Sequence, residues 1–270
     1  MKTNYHTHTT WCDGQATVAA MAEAALRKGF ARLGFSSHAM LPGDPFAWPL
    51  RRETLAAYAA DVRATAQAFA SRGLTVLCGV EADYVRGACS PDDPAYAAIK
   101  PDYVIGSVHY VIAPDGSWVC VDESPQALAE GLRAHFGGDA RAFVRAYFAA
   151  ERDMALTCDF DIVAHPDLVR KFNGQFHLFD ETASWYVSEL EASADAFARA
   201  GKLVEVNTGA ISRGWMDDAY PSAGFRERLR QRGVNFVLSS DAHAPEGLDT
   251  AFERFAQAEN YVFPALRTYV

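Results

Sequence analysis

Short apolar runs alternate with longer amphipathic stretches along most of this chain. Each run is rich in β-branched or aromatic residues and ends in polar ones, which is the pattern of a buried strand. The seven predicted strands are Lys2–His8, Ala31–His38, Leu74–Glu81, Tyr103–His109, Phe160–His165, Leu203–Asn207 and Asn235–Asp241. The stretches between them carry apolar residues at helical spacing. The longest predicted helices are Thr17–Lys28, Arg52–Arg72, Ala140–Leu156 and Thr182–Ala200.

Strands that alternate with helices form a parallel sheet, because each helix carries the chain back to start the next strand in the same direction. Seven such units in 270 residues are about what a closed barrel requires, since eight-unit barrels take roughly 250 residues. A distorted (β/α)7 barrel of the TIM type is therefore the expected α/β fold. A doubly wound open sheet is the alternative.

One segment, Ile112–Phe136, departs from the alternation. Pro114-Asp115-Gly116 separates two short apolar runs, and this triplet is typical of a tight turn. The segment therefore predicts a hairpin or a lid after the fourth strand, close to where a parallel sheet carries its functional site.

Composition narrows the class of protein. With 50% hydrophobic residues and no repeat or linker, residues 1–270 are expected to form a single globular domain. The net charge is −9, from 25 basic and 34 acidic residues, so the chain lacks the basic field that attracts nucleic acid. The five cysteines include no CxxC pair, and no run is long enough to span a membrane. These features predict a cytoplasmic protein with reduced thiols.

Polar residues gather where the predicted strands end. Six of the eight histidines have this placement, namely His6, His8, His38, His109, His165 and His243. Four acidic residues share it: Asp13, Glu81, Asp167 and Asp241. A parallel barrel brings all its strand carboxyl ends to one rim, so residues distant in sequence meet there. We therefore expect one cluster of imidazoles and carboxylates.

Two pairs in this set have the spacing of metal ligands. His6 and His8 are two residues apart, as are Asp241 and His243, and such residues project to the same face of a strand. A buried carboxylate is costly unless it is paired or bound to a metal. Imidazole and carboxylate donors without a thiolate suit zinc, manganese or iron better than calcium or magnesium.

Several ordered motifs carry a family resemblance. They are Asn4-Tyr5-His6-Thr7-His8-Thr9-Thr10-Trp11-Cys12-Asp13-Gly14, Gly34-Phe35-Ser36-Ser37-His38, Gly79-Val80-Glu81, Gly106-Ser107-Val108-His109, Ala164-His165-Pro166-Asp167 and Ser239-Ser240-Asp241-Ala242-His243. Together they resemble the PHP (polymerase and histidinol phosphatase) superfamily. Further motifs at Val121–Pro125 and Glu205–Gly214 are similar to its monofunctional histidinol-phosphate phosphatase branch.

The resemblance implies a distorted (β/α)7 barrel that carries three divalent ions of zinc, iron or manganese at its carboxyl rim. It implies one ion held by His6, His8, Glu81 and Asp241, with Glu81 bridging to a second ion held by His109 and His165. It implies a third ion held by Asp13, His38 and His243.

The expected reaction is hydrolysis of a small phosphate monoester, L-histidinol phosphate, in histidine biosynthesis. Arg213 is the first candidate to bind the phosphate, because a guanidinium can donate to two oxygens at once. Arg170 and Lys171 form a second basic pair, and adjacent residues cannot both point inward along a regular strand. Asp167 is a candidate either to protonate the leaving group or to orient a ligand.

Two other functions use the same ligands. A phosphodiesterase or exonuclease acting on nucleotides would need them too, although the charge of −9 disfavours a long polyanion. A metal-binding domain without turnover is the second alternative, and the presence of Arg213 disfavours it. Neither nucleic acid nor membrane is an expected partner, and the oligomeric state is left open.

Overall fold

A computed structural model describes residues 1–42, 49–256 and 261–269. Its strands are β1 (Lys2–Asn4), β2 (Phe30–Phe35), β3 (His38–Ala39), β4 (Thr75–Asp83), β5 (Tyr103–Ser107), β6 (Tyr110–Ile112), β7 (Trp118–Cys120), β8 (Ile162–Val163), β9 (Leu203–Asn207) and β10 (Phe236–Ser239). Its α-helices are α1 (Val18–Arg27), α2 (Leu55–Ala70), α3 (Pro125–His135), α4 (Ala140–Thr157), α5 (Asn173–Phe176), α6 (Ser184–Ala200), α7 (Gly209–Ser212), α8 (Ala223–Gln231) and α9 (Phe252–Phe255). Short 3-10 helices cover Tyr96–Ile99, Leu168–Arg170 and Pro245–Asp249.

The main sheet is parallel and curls almost into a closed barrel. Its strand order is β1-β2-β4-β5-β8-β9-β10, and β3 continues the line of β2 by pairing with β4. The two ends of the sheet meet where Thr7 pairs in parallel with Ala242. The His8 N–H donates to the Ala242 carbonyl at 2.9 Å. The expected seven-strand barrel is therefore the observed fold, and the open doubly wound alternative is wrong.

Large side chains fill the interior of the barrel. Tyr103 lies there, fully buried, with Tyr5, Leu77, Ile105, Ile162, Ala164 and Val237. A Cβ at Gly34 or Gly79 would overlap the Tyr103 ring. Glycine in β2 and β4 therefore makes room for the aromatic side chain that plugs the barrel beneath its rim.

The helices pack outside the sheet, as their periodicity predicts. In α1 the Thr17 hydroxyl caps the helix by accepting from the Ala20 N–H at 3.2 Å, and Val18, Met21 and Ala25 are buried. The four long predicted helices correspond to α1, α2, α4 and α6. In the part of the chain that the structure describes, no helix combines the length and apolar character needed to cross a bilayer.

Several strands end before the predicted rim residues, whereas β4 continues two residues past Glu81 to Asp83. The first was expected to reach His8 but ends at Asn4, and the last was expected to reach Asp241 but ends at Ser239. The chain leaves the regular ladder at these points, and Asp241 takes a left-handed φ of 51°. The predicted hairpin is confirmed, because β6 and β7 pair antiparallel with Ile112 opposite Trp118.

Candidate metal centre

Strand ends bring the predicted ligands to one mouth of the barrel. His6 and His8 follow β1, Asp13 lies before α1, His38 begins β3, Glu81 lies in β4, His109 follows β5, His165 follows β8, and Asp241 and His243 follow β10. The register between β3 and β4 sets His38 directly beside Glu81. The Thr7–Ala242 pairing brings the first strand against the last, so residues from both ends of the chain share the site.

Glu81 lies at the centre of the cluster and is fully buried. Its Oε2 lies 3.0 Å from His6 Nε2 and 3.0 Å from His38 Nδ1. Its Oε1 lies 3.0 Å from His165 Nε2 and 3.5 Å from His109 Nε2. The two oxygens thus face different sets of imidazoles, which is the arrangement that a carboxylate between two ions requires.

Asp241 and Asp13 extend the cluster toward solvent. Asp241 Oδ1 lies 3.1 Å from His8 Nε2 and 3.7 Å from His6 Nε2. Asp13 Oδ2 lies 3.0 Å from His243 Nε2, and its Oδ1 lies 3.6 Å from His8 Nδ1. The structure therefore brings together all nine residues for which a ligand role was predicted.

The nitrogen and oxygen atoms of this cluster are suited to bind divalent metal ions. His6 Nε2, His8 Nε2 and Glu81 Oε2 are buried and, among the described residues, have no hydrogen-bond partner, although Glu81 Oε2 lies 3.0 and 3.4 Å from the two nitrogens. Polar atoms left in this state are costly unless a further ligand satisfies them. Within the described ranges, three groups place their ligand atoms within 4.8 Å of one another: His8, Asp13, His38 and His243; His6, His8 and Glu81; and His38, Glu81 and His109.

The charges of the cluster favour a bound cation. Burial alone would raise the pKa of Glu81, but the imidazoles of His38, His6 and His109 hold that pKa well below its usual range. Burial, helped by neighbouring imidazoles, lowers the pKa of His8 to about 3. Glu81 is therefore ionised and His8 neutral, as metal ligation needs. Burial would lower the pKa of His6 and of His38, but neighbouring carboxylates raise both, so a metal bound there would displace protons.

Two carboxylates behind the cluster were not singled out as site residues by the sequence reasoning. Asp83 Oδ1 lies 2.8 Å from His109 Nδ1, and Glu205 Oε2 lies 2.9 Å from His6 Nδ1. Burial would lower the pKa of His109, but Asp83 and Glu81 raise it to about 10. Asp83 stands two residues after Glu81, so the same-face rule applied to His6 and His8 could have identified it.

A cavity of about 470 Å³ opens above the cluster. Its wall includes Asp13, His38, His109, His165, Asp241 and His243 from the predicted ligand set, together with Arg213, Lys171, Tyr110, Asp122 and Glu123. The predicted metal ligands therefore form the floor of the cavity, and its wall carries both basic and acidic side chains.

Arg213 reaches the cluster from the end of α7. Its Nη1 donates to Asp241 Oδ2 at 3.2 Å, and its Nη2 donates to the Asp241 carbonyl at 3.1 Å. The Nη2 atom also lies 2.9 Å from His243 Nδ1. A Cβ at Gly209 would lie only 2.8 Å from Arg213 Nη1, so glycine at that position permits the approach. Arg213 is therefore part of the site wall and not a surface arginine.

The structure separates the two adjacent basic residues. Lys171 lines the cavity, where its Nζ donates to Asp122 Oδ2 at 2.9 Å. Arg170 instead donates through Nε to Glu181 at 2.7 Å, and its Nη1 lies 3.5 Å from Asp167 Oδ2. Only Lys171 of this pair is brought to the cavity, which agrees with the expectation that both could not point inward.

Asp167 lies behind the cavity wall. It is fully buried, and its Oδ2 accepts from the Ser222 N–H at 2.8 Å. Burial raises its pKa to about 7. It stands two residues after His165 in a left-handed conformation, with φ of 75°. It also pairs with Arg170 Nη1 at 3.5 Å, and both of its predicted roles, protonating the leaving group and orienting a ligand, stay predictions.

Comparisons with known proteins agree with this geometry. The family model described as PHP domain matches residues 4–209. A protein of Deinococcus radiodurans named "Probable histidinol-phosphatase" is 34% identical over 245 residues, which cover 89% of this chain and 85% of that protein. That residues 1–270 form one domain with the matched region stays a prediction.

Two solved structures share the fold. A Listeria monocytogenes protein assigned as a histidinol phosphatase superposes with a TM-score of 0.81 at 20% identity, covering 94% of this chain and 100% of that one. A histidinol phosphate phosphatase from Lactococcus lactis, in complex with Zn, L-histidinol and phosphate, has a TM-score of 0.66 at 14% identity and covers 99% of each chain. With three quarters of its length matched by the family model, this chain belongs to the PHP family, and its relatives there carry the name histidinol-phosphatase.

Proposed function

We propose that this chain is a metal-dependent phosphomonoesterase that hydrolyses L-histidinol phosphate to L-histidinol and inorganic phosphate. One observation carries the proposal: a small cavity has clustered imidazoles and carboxylates as its floor and Arg213 at its edge. The Deinococcus relative's name supports the choice of substrate.

The proposal includes three divalent ions, with zinc favoured over iron and manganese because the Lactococcus structure contains Zn. His6, His8, Glu81 and Asp241 would hold the first ion, Glu81, His109 and His165 the second, and Asp13, His38 and His243 the third. Such ions, when bound, lower the pKa of a water from 15.7 toward about 7 and offset charge on the phosphoryl group.

Arg213 is proposed to bind the phosphate. Two of its five N–H groups donate to Asp241, which leaves further donors of the fork for phosphate oxygens. Its ion pair with Asp241 holds the guanidinium against the cluster, so no reorganisation is needed when the substrate enters. Donors held in this way act most strongly on the extra negative charge of the transition state. Lys171, which also lines the cavity, is a second candidate for the same phosphate.

The acidic part of the wall is proposed to bind the alcohol end of the substrate. L-Histidinol carries an ammonium and an imidazole, and both can donate to carboxylates. Burial would raise the pKa of Asp122, but Lys171 and His109 hold it below its usual range, so Asp122 is ionised. Glu123 adds a second carboxylate to the cavity wall. These groups attract a cationic alcohol and repel the further phosphates of a nucleic acid.

A substrate panel tests this function on protein whose metal content has been measured. L-Histidinol phosphate should be hydrolysed with a higher kcat/KM than p-nitrophenyl phosphate, a phosphodiester or an oligonucleotide. Glu123→Gln should raise KM for L-histidinol phosphate and leave KM for p-nitrophenyl phosphate unchanged, because only the first substrate is a cation at its alcohol end. Preference for the oligonucleotide would indicate the nuclease alternative. A fully loaded protein that is inert toward every ester would indicate a non-catalytic domain.

A further inference from the structure

Glu205 joins two histidines that follow different strands of the barrel sheet, His6 after β1 and His165 after β8. It lies in β9 and is fully buried. Its Oε2 lies 2.9 Å from His6 Nδ1, and its Oε1 accepts from the backbone N–H of His165 at 2.6 Å. We propose that Glu205 is the positioning residue that sets both His6 and His165 for metal binding, so that two ions depend on one carboxylate that binds neither.

The proposal follows first from how a metal-binding imidazole is oriented. A carboxylate that accepts from one ring nitrogen fixes the tautomer and leaves the other nitrogen free to ligate. With Nδ1 of His6 directed at Glu205, its Nε2 lies 3.0 Å from Glu81 Oε2. His165, held through its backbone, presents Nε2 3.0 Å from Glu81 Oε1. Glu205 and Glu81 therefore bracket both histidines from opposite sides.

A second observation is that Glu205 is itself held in place. Asn207 Nδ2 donates to Glu205 Oε1 at 2.7 Å, while Asn207 Oδ1 accepts from the Gly209 N–H at 2.7 Å. The backbone of Asn207 is fixed by hydrogen bonds of 2.7 and 2.9 Å with Tyr220. These contacts fix the Glu205 carboxylate group in the orientation in which its two oxygens meet His6 and His165.

Two other buried carboxylates provide matched comparisons. Asp83 contacts only one histidine of the cluster, His109, through its Nδ1 and its backbone N–H at 2.8 and 3.2 Å. Glu151 is as buried as Glu205, but its hydrogen bond is with the Tyr147 hydroxyl at 2.8 Å. Burial raises the pKa of Glu151 to about 8, so glutamine is a close substitute for its neutral form. Substitution of Asp83 therefore tests the loss of a carboxylate that supports one histidine, and substitution of Glu151 tests the loss of a buried carboxyl group with no contact to the predicted ligands.

The inference rests on the metal centre of the proposed function but not on the substrate. Zinc binding to the full chain is measured by competition with a chromogenic chelator, and bound zinc is counted by elemental analysis. Glu205→Gln should weaken zinc binding by about 10- to 100-fold, the range for lost outer partners of metal ligands, and should reduce the count. Glu205→Asp keeps the charge but shortens the reach, so it should fall between Glu205→Gln and the unchanged protein.

The comparison variants decide the interpretation. Asp83→Asn should weaken fewer of the bound ions than Glu205→Gln, and Glu151→Gln should bind zinc as the unchanged protein does. The inference would be overturned if folded Glu205→Gln bound as many zinc ions as the unchanged protein and with the same affinity. It would also be overturned if Glu151→Gln lost as much zinc binding as Glu205→Gln. If Glu205→Gln fails to fold, Asn207→Ala decides: several-fold weaker zinc binding supports the inference, and unchanged binding overturns it. An unchanged protein that takes up no zinc would instead refute the metal centre itself.

Discussion

Replacing Arg213 by alanine isolates the contribution of one guanidinium to phosphate turnover. Its two contacts with Asp241, at 3.2 and 3.1 Å, hold it at the cavity edge, where its side chain is 31% exposed. Loss of one oriented donor to a transition state reduces kcat by about 10²- to 10³-fold, or about 2.7 to 4 kcal/mol. Since Arg213 is partly exposed to solvent, which weakens its electrostatic effect, we expect the lower end of this range.

A second effect of the same substitution must be separated. Burial would raise the pKa of Asp241, and Arg213 is the strongest of the groups that hold it well below its usual range. Without the arginine, Asp241 loses a neighbouring cation and binds both a proton and a metal ion more readily, so metal content could change together with turnover. Phosphate release from L-histidinol phosphate should therefore be measured at saturating zinc, with bound metal counted on the same sample.

Two further variants sharpen the assay. Arg213→Lys keeps the positive charge but loses the paired N–H donors of the guanidinium group. Its kcat should therefore lie between those of Arg213→Ala and the unchanged protein. Arg152→Ala removes a different arginine, which pairs with Glu189 at 2.9 Å outside the cavity, and should leave turnover unchanged. Full kcat and kcat/KM in a metal-loaded Arg213→Ala protein would refute the assignment of Arg213 to the phosphate.

Three other substitutions test separate parts of the structure. His8→Ala should remove bound metal and activity while helix content by circular dichroism stays near that of the unchanged protein; full activity would contradict the ligand assignment. Gly209→Ala places a Cβ 2.8 Å from Arg213 Nη1, 2.9 Å from Asn207 Oδ1 and 3.0 Å from Asp241 Oδ2, so kcat at saturating zinc should fall, and an unaltered kcat would show that these side chains accommodate the methyl group. Glu151 has a folded-state pKa of about 8, above its unfolded value, so it contributes to a loss of stability as pH rises from about 5 to 8. Glu151→Gln should flatten that decline in urea unfolding, and parallel stability curves would count against it.

The chemistry of the site was predictable because residue type and strand position are local properties. The spacing of His6 and His8 and the histidines that follow other strands indicated a metal-binding rim before any coordinates. Asp83 and Glu205 escaped notice as supporting carboxylates for different reasons. Asp83 follows the same spacing rule from Glu81, whereas Glu205 lies within an apolar strand, and its partners His6 and His165 lie 199 and 40 residues away.

The basic residues show where periodicity stops being informative. Arg170 and Lys171 belong to a short 3-10 helix and its end, where no strand alternation assigns a side chain to one face. Ion pairs with Glu181 and Asp122 decide which of the two reaches the cavity. Those acids lie 11 and 49 residues away along the chain, and no periodic pattern links them to Arg170 and Lys171. The sequence could therefore indicate that one of the two residues points inward, but not which one.

The amino-acid sequence alone determined the order of strands and helices, the α/β class and the kinds of ligand at the rim, because these depend on local hydrophobic periodicity and residue chemistry. Only the tertiary structure decided that the sheet closes, through the pairing of Thr7 with Ala242, and that Glu81 lies among five imidazoles. It also decided that Asp167 and Arg170 lie behind the wall. Closure and side-chain direction in the irregular segments beyond the strands depend on contacts between distant residues, which no local pattern encodes.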